Sequence, residues 1–221
     1  MAGRARYLLK LTVLVWITVP VILGDSHDGV SQGEVLSVQA ESGSKNLAAG
    51  KLLVARRKLL DPNFAQTVVL LIQYDEKGSV GLIINRQSKI PLSKLSTELS
   101  GAKGRSELLF VGGPVERLAL MALLRTRTKP EEARHVIADV YAISSKPTLE
   151  KTLASDSTPS TLRLYLGYAG WAAGQLEFEI GMNAWEILPY NAGFVFDAHP
   201  ESLWPRLAEA EELQIAGRKP E

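Results

Sequence analysis

The 221-residue sequence predicts an α+β domain built on a mixed or largely antiparallel sheet. Three observations carry that expectation. Strand-like and helix-like segments follow one another without the regular βαβ rhythm of a doubly wound fold. Residues 67–85 read as two apolar strands around Asp75-Glu76-Lys77-Gly78, a turn that folds the chain back on itself. A composition of 46% hydrophobic and 22% charged residues is that of an ordinary globular chain and excludes a disordered, collagen-like or multi-span membrane protein.

The first 24 residues stand apart. Arg4, Arg6 and Lys10 lead into Leu11 to Leu23, apolar except for Thr12 and Thr18, and then into Gly24. That is the charge, length and small-residue pattern of a secretory signal peptide. With Pro20 inside the run and no Ala-x-Ala ending, an uncleaved membrane anchor stays open. Either way the segment predicts an exported or membrane-anchored protein, with the membrane reached only through residues 1–24. Residues 25–49, rich in Gly, Ser, Gln, Glu and Lys, read as a flexible linker. Residues 50–216 make one domain's length.

Within that domain Lys51 to Ala55 is a short apolar run, closed by the turn chemistry of Asp61-Pro62-Asn63-Phe64. Thr67 to Tyr74 is β-branched and apolar on both faces, and Val80 to Asn85 returns alongside it. Pro91 to Leu99 predicts a short helix from Leu92, Leu95 and Leu99. Leu108 to Val111 predicts a strand ending at the turn Gly112-Gly113-Pro114. Leu118 to Leu124 fits a helix or a buried strand equally, whereas Val136 to Ile143 reads as strand. Pro147 starts a helix to about Ala154. Leu162 to Leu166, alternating with Arg163 and Tyr165, predicts a strand, and Gly167 to Trp171 a tight loop before a helix over Gly174 to Ile180. A strand at Trp185 to Leu188 and a terminal helix from Pro200 to Leu213 complete the order.

Charge and composition exclude several functions. The net charge is +1; without residues 1–24, which hold three basic residues and no acid, 25 − 3 = 22 basic side chains face 24 acidic ones, a balance of −2. A nearly neutral body lacks the electrostatic footprint of a nucleic-acid binder. Absence of cysteine removes disulfides, thiolate nucleophiles and Cys-ligated metals, and three histidines, one of them His27 in the leader region, do not suggest a metal site. No phosphate-binding loop, dinucleotide fingerprint or nucleophile elbow occurs, so neither a cofactor nor a catalytic residue is expected.

Three blocks nevertheless occur in a telling order. They are Gly50-Lys-Leu-Leu-Val-Ala through Asp61-Pro-Asn-Phe to Gly81-Leu-Ile-Ile-Asn85-Arg86, then Phe110-Val-Gly-Gly-Pro-Val115, then Arg163-Leu-Tyr-Leu-Gly-Tyr-Ala-Gly-Trp171 with Gly174-Gln-Leu-Glu-Phe-Glu179. Together they resemble the AlgH/YqgE family of bacterial proteins of mostly unknown function, labelled transcriptional regulators, over roughly residues 47–213. The resemblance implies a bifurcated or barrel-like sheet wrapped by helices, a cytoplasmic location as the alternative to export, and no established catalytic residue. The chain departs from the family pattern at Arg56-Arg57-Lys58, at Gln87 after Asn85-Arg86, and in its secretion-like leader.

The candidate binding residues are Asn85, Arg86, Tyr168, Trp171 and Gln175. Arg86 can grip a carboxylate or phosphate with two parallel N–H groups while Asn85 offers donor and acceptor, or the pair clamps main-chain carbonyls or an acid inside the fold. The glycine-rich stretch from Gly167 to Gln175 offers amides to an anion, with Tyr168, Trp171 and Gln175 lining a small pocket, or else Trp171 simply plugs the core. The leading expectation is a non-enzymatic binding or regulatory module for a protein segment or small anionic ligand. A transcriptional regulator and an uncharacterised hydrolase using Glu177 and Glu179 are the alternatives.

Overall fold

The structure, a computed structural model, describes residues 47–155 and 158–209. The expected signal segment 1–24 and most of the expected linker lie outside these residues. So does the end of the expected terminal helix. Among the described residues no helix is long and apolar enough to cross a membrane.

Among the described residues, ten strands form one branched sheet. They are β1 (Leu52–Ala55), β2 (Val68–Asp75), β3 (Gly78–Ile83), β4 (Gln87–Pro91), β5 (Leu108–Val111), β6 (Val115–Arg125), β7 (Arg134–Ile137), β8 (Val140–Ile143), β9 (Leu162–Ala172) and β10 (Trp185–Leu188). The main path runs β10-β1-β2-β3-β9-β6-β8-β7, with β5 joined to β9 and β4 joined to β5. Every pairing is antiparallel except β5 with β9. Helices are few and short: α1 (Lys146–Leu153), α2 (Gln175–Gly181), α3 (Ala192–Val195) and α4 at residues 203–209. The molecule is therefore α+β, with a mostly antiparallel sheet.

The branch point lies on β9. One edge of β9 pairs with β6 from Leu162 to Tyr168. On the other edge Tyr165 and Leu166 pair with β5, and Ala169 to Ala172 pair with β3. The fork is tied by main-chain bonds from the Gly112 amide to the Leu166 carbonyl at 2.8 Å and from the Ile83 amide to the Gly112 carbonyl at 2.9 Å. At that crossing Gly113 faces Gly167. A side chain at Gly113 would overlap the Tyr168 carbonyl, and Gly167 holds the left-handed φ of 68° that disfavours a β-carbon.

Apolar runs fill both sides of this sheet. The larger core gathers β1, β2 and the end of β3 with Tyr165, Trp171, Trp185 and Trp204; the smaller packs Leu92, Leu99, Leu149 and Leu153 against Leu162 and Leu164. Asp61 behaves as its turn chemistry requires, accepting from the Asn63 amide at 2.8 Å. This delivers Phe64 onto Trp171 in a stacked pair and onto Trp185 edge-on.

Four local expectations need correction. Gly167 to Trp171 is the second half of β9 rather than a tight loop, because close-packed backbones require glycine there as strongly as a turn would. Pro91 to Leu99 is the end of β4 followed by a 3-10 turn at Leu92–Leu95, whose three-residue repeat mimics a helical spacing. Leu47, assigned to the linker, is 8% exposed and sits in the larger core. Val136 to Ile143, read as strand, belongs to two strands, β7 and β8, which pair antiparallel across a turn at residues 138–139. The ambiguous segment from Leu118 to Leu124 is strand, within β6.

Candidate functional site

The five sequence-derived candidates lie between β3 and β4, on β9 and on α2, and the structure draws most of them into internal networks. Asn85 follows β3 and reaches back to the start of β2, its Oδ1 accepting from the Val68 amide at 2.8 Å and its Nδ2 donating to the Gln66 carbonyl at 2.9 Å. Arg86 donates to the carbonyls of Asn63 at 2.9 Å and Ala65 at 3.3 Å. Burial lowers the pKa of its guanidinium. The pair thus pins the 63–68 loop, the internal-clamp alternative, through main-chain acceptors rather than through Glu177 or Glu179.

Trp171 is 2% exposed and donates its indole N–H to Glu179 at 3.0 Å; Trp185 donates to the same carboxylate oxygen at 2.8 Å. Gln175 accepts from the Ala172 amide and donates to the other Glu179 oxygen at 3.0 Å. Glu177, two positions earlier on α2, accepts instead from the Tyr74 hydroxyl at 2.6 Å, and that bond, with burial and the carboxylate charge, pushes the phenol up to about 12. The two carboxylates serve separate partners. Tyr168 is half-buried on β9 opposite Val115, its phenol raised by burial and by Glu116. Among the described residues no group of three or more His, Asp or Glu is placed to hold a metal.

A cleft of about 460 Å³ opens elsewhere, on the far side of the fork. The parallel pairing of β5 with β9 is confined to Phe110–Val111 against Tyr165–Leu166. Below it the strands diverge, and the cleft occupies the gap between residues 105–110 and 159–164, roofed by Phe196, Ala198 and Pro200. Its walls are mostly apolar, with Leu92, Leu108, Leu109, Leu162 and Leu164 among them, and Arg105 and Glu107 form an ion pair at 2.7 Å.

Arg163 is the buried charge of this cleft. Its guanidinium carbon lies 4.8 Å from the Phe110 ring centre and 5.8 Å from that of Phe196, both within cation–π range. Nη1 donates to the Val195 carbonyl at 3.2 Å and Nη2 to the Asp197 carbonyl. Both of these acceptors are main-chain carbonyls, so no negative charge is bonded to a guanidinium that carries five N–H donors. No described carboxylate hydrogen-bonds to it: the Asp197 side chain is turned to Arg206 and the His199 amide. Burial pulls the guanidinium pKa down, against the raising effect of Tyr165 and Asp197. The Tyr165 hydroxyl beside it is buried without a hydrogen-bond partner, and burial pushes that phenol well up. A cation so placed favours an incoming negative charge.

Comparison with known proteins places the chain in a family. Residues 52–216 match the model of the AlgH-like proteins. The chain belongs to the AlgH-like family. A UPF0301 protein of Xanthomonas campestris pv. campestris is 35% identical over 164 residues, covering 72% of this chain and 87% of the relative. A UPF0301 protein of Chlorobium luteolum is 32% identical over 180 residues, covering 80% and 94%. The solution structure of the AlgH protein from Pseudomonas aeruginosa superposes with a TM-score of 0.61 at 29% identity, covering 78% of this chain and 95% of that one. The crystal structure of a Corynebacterium diphtheriae protein, at 22% identity and a TM-score of 0.61, shares the fold. The family is one of uncharacterised function, so the chemistry must be argued from the site.

Sequence reasoning missed this cleft. Arg163 was in view as a polar position of an alternating strand, and the usable signal was its setting between leucines in a strand that the family blocks make central. Phe110 and Phe196, which sandwich it, are 86 positions apart and carry no local pattern.

Proposed function

We propose that the domain is a non-enzymatic binding module that holds a small anionic ligand in the cleft between β5 and β9, with Arg163 as its anchor. One observation supports this above the others: a guanidinium at 7% exposure lines a largely apolar cleft, bonded to main-chain carbonyls and to no described carboxylate. A buried cation normally has an acid or a ligand as partner. The cleft also falls within the 300–1,000 Å³ usual for small-molecule sites. The five residues singled out in the sequence do not line this cleft.

The test is anion-dependent stabilisation at constant ionic strength. Acetate or phosphate should raise the melting temperature of the natural protein, since a ligand at ten times its Kd stabilises by about 1.4 kcal/mol. Arg163→Met, which fills similar space without the charge, should show no such rise. Equal stabilisation of both proteins would place the anion elsewhere and sink the reading.

A further inference from the structure

We infer that the cleft between β5 and β9 takes a single carboxylate carried on an apolar stem, with the carboxylate on Arg163 and the stem along Leu108, Leu162 and Leu164. This deepens the anion-binding reading and rests on it. Three features narrow the class.

The first is charge. Arg163 brings one cation, while Arg105 at the cleft wall is bonded to Glu107 at 2.7 Å and brings no net charge with it. A monoanion is thereby balanced, whereas the second charge of a phosphate would sit unmatched near Glu107. The second is geometry. The planar, forked donors of a guanidinium match the two oxygens of a carboxylate, and the Phe110 and Phe196 rings pack within 4.8 and 5.8 Å of it. The third is the wall. Leucines and prolines make up most of the remainder of the cleft, with Gln87 and Ser160 as its other polar positions, so an apolar stem is what the leucine side of the wall solvates best.

Carboxylates on apolar stems come from two sources, free linear acids and the carboxy-terminus of a chain ending in an aliphatic residue. Titration calorimetry with butanoate, hexanoate and octanoate, and with octanamide and inorganic phosphate, reads the shared chemistry. Affinity should rise about three- to four-fold per methylene from butanoate to octanoate, and octanamide should bind at least about tenfold more weakly than octanoate. Leu108→Glu, at a wall position that is 37% exposed and so tolerates the change, should weaken octanoate at least about tenfold with the far-ultraviolet dichroism unchanged. A capped peptide ending in leucine, compared with its carboxamide, assigns the source: preference for the free-carboxylate peptide over octanoate means a chain terminus, and the reverse means a free acid.

Octanamide matching octanoate, affinity independent of stem length, or octanoate insensitive to Leu108→Glu would each overturn the inference. Phosphate or acetate binding as tightly as octanoate would also overturn it while leaving the anion-binding reading in place. No binding by any of these anions removes both.

Discussion

Asn85 and Arg86 have the widest hydrogen-bonding repertoire of the sequence-derived candidates, and both use it inside the molecule. Arg86 holds the carbonyls of Asn63 and Ala65, and Asn85 satisfies the buried Val68 amide. Arg86→Ala should therefore lower stability by about 1–3 kcal/mol, by leaving half-buried acceptors unmet, and leave anion affinity unchanged. Chemical denaturation with a parallel binding titration measures both, and normal stability with lost binding would return Arg86 to the ligand site. Asn85→Ala should cost a similar amount, because it strands a main-chain donor in the core. The residue types were legible in the sequence; their direction was not. Their partners lie 17 to 23 positions back in the chain, on a loop whose path is set by Phe64 docking on two tryptophans. Arg163 shows the opposite difficulty: alternation marks it as a strand residue, yet both faces of β9 are covered, so alternation stops reporting exposure.

At the level of elements, β9 governs the fold because three strands use it. Its glycines read as a loop in sequence, since the same residue serves a turn and a close backbone crossing. Gly113→Ala should cost about 3 kcal/mol or more, because its methyl group would meet the Tyr168 carbonyl on the facing strand. A melting curve close to that of the natural protein would show that the fork can open without cost. The segment that roofs the cleft is tied by Asp197. Burial works to raise the pKa of this carboxyl, but the His199 amide and the Arg206 guanidinium more than offset it, so the net shift is downward. A depressed carboxyl contributes stability that is present above its unfolded value of about 3.9 and is lost as pH falls through the folded value below that. Asp197→Asn should accordingly flatten the acid limb of a stability–pH profile below about pH 4 while lowering the plateau at neutral pH. An unchanged acid limb would show that Asp197 does not govern the roof. The hairpin of β2 and β3, by contrast, was readable from its apolar runs and turn alone, and so was α1 from its proline at the first turn.

For the whole molecule, class and family were within reach of the sequence, because periodicity, glycine placement and three ordered blocks survive without coordinates. The cleft was not. It exists where a parallel pairing stops after two residue pairs and where segments near 105, 160 and 198 converge, and convergence of that kind leaves no trace in any local window. Global charge makes its own prediction. A body of balance −2 should not retard a DNA fragment even at low salt, and a gel-shift series rising in salt from about 20 mM checks it. Salt-sensitive retardation would revive the regulator alternative. The central claim is that the anion site is the Arg163 cleft, and the most direct measurement is an amide chemical-shift map recorded during an acetate titration. Shifts confined to residues 105–110, 160–164 and 195–200 are the predicted result; shifts gathered at Asn85, Arg86, Tyr168, Trp171 and Gln175 would contradict it.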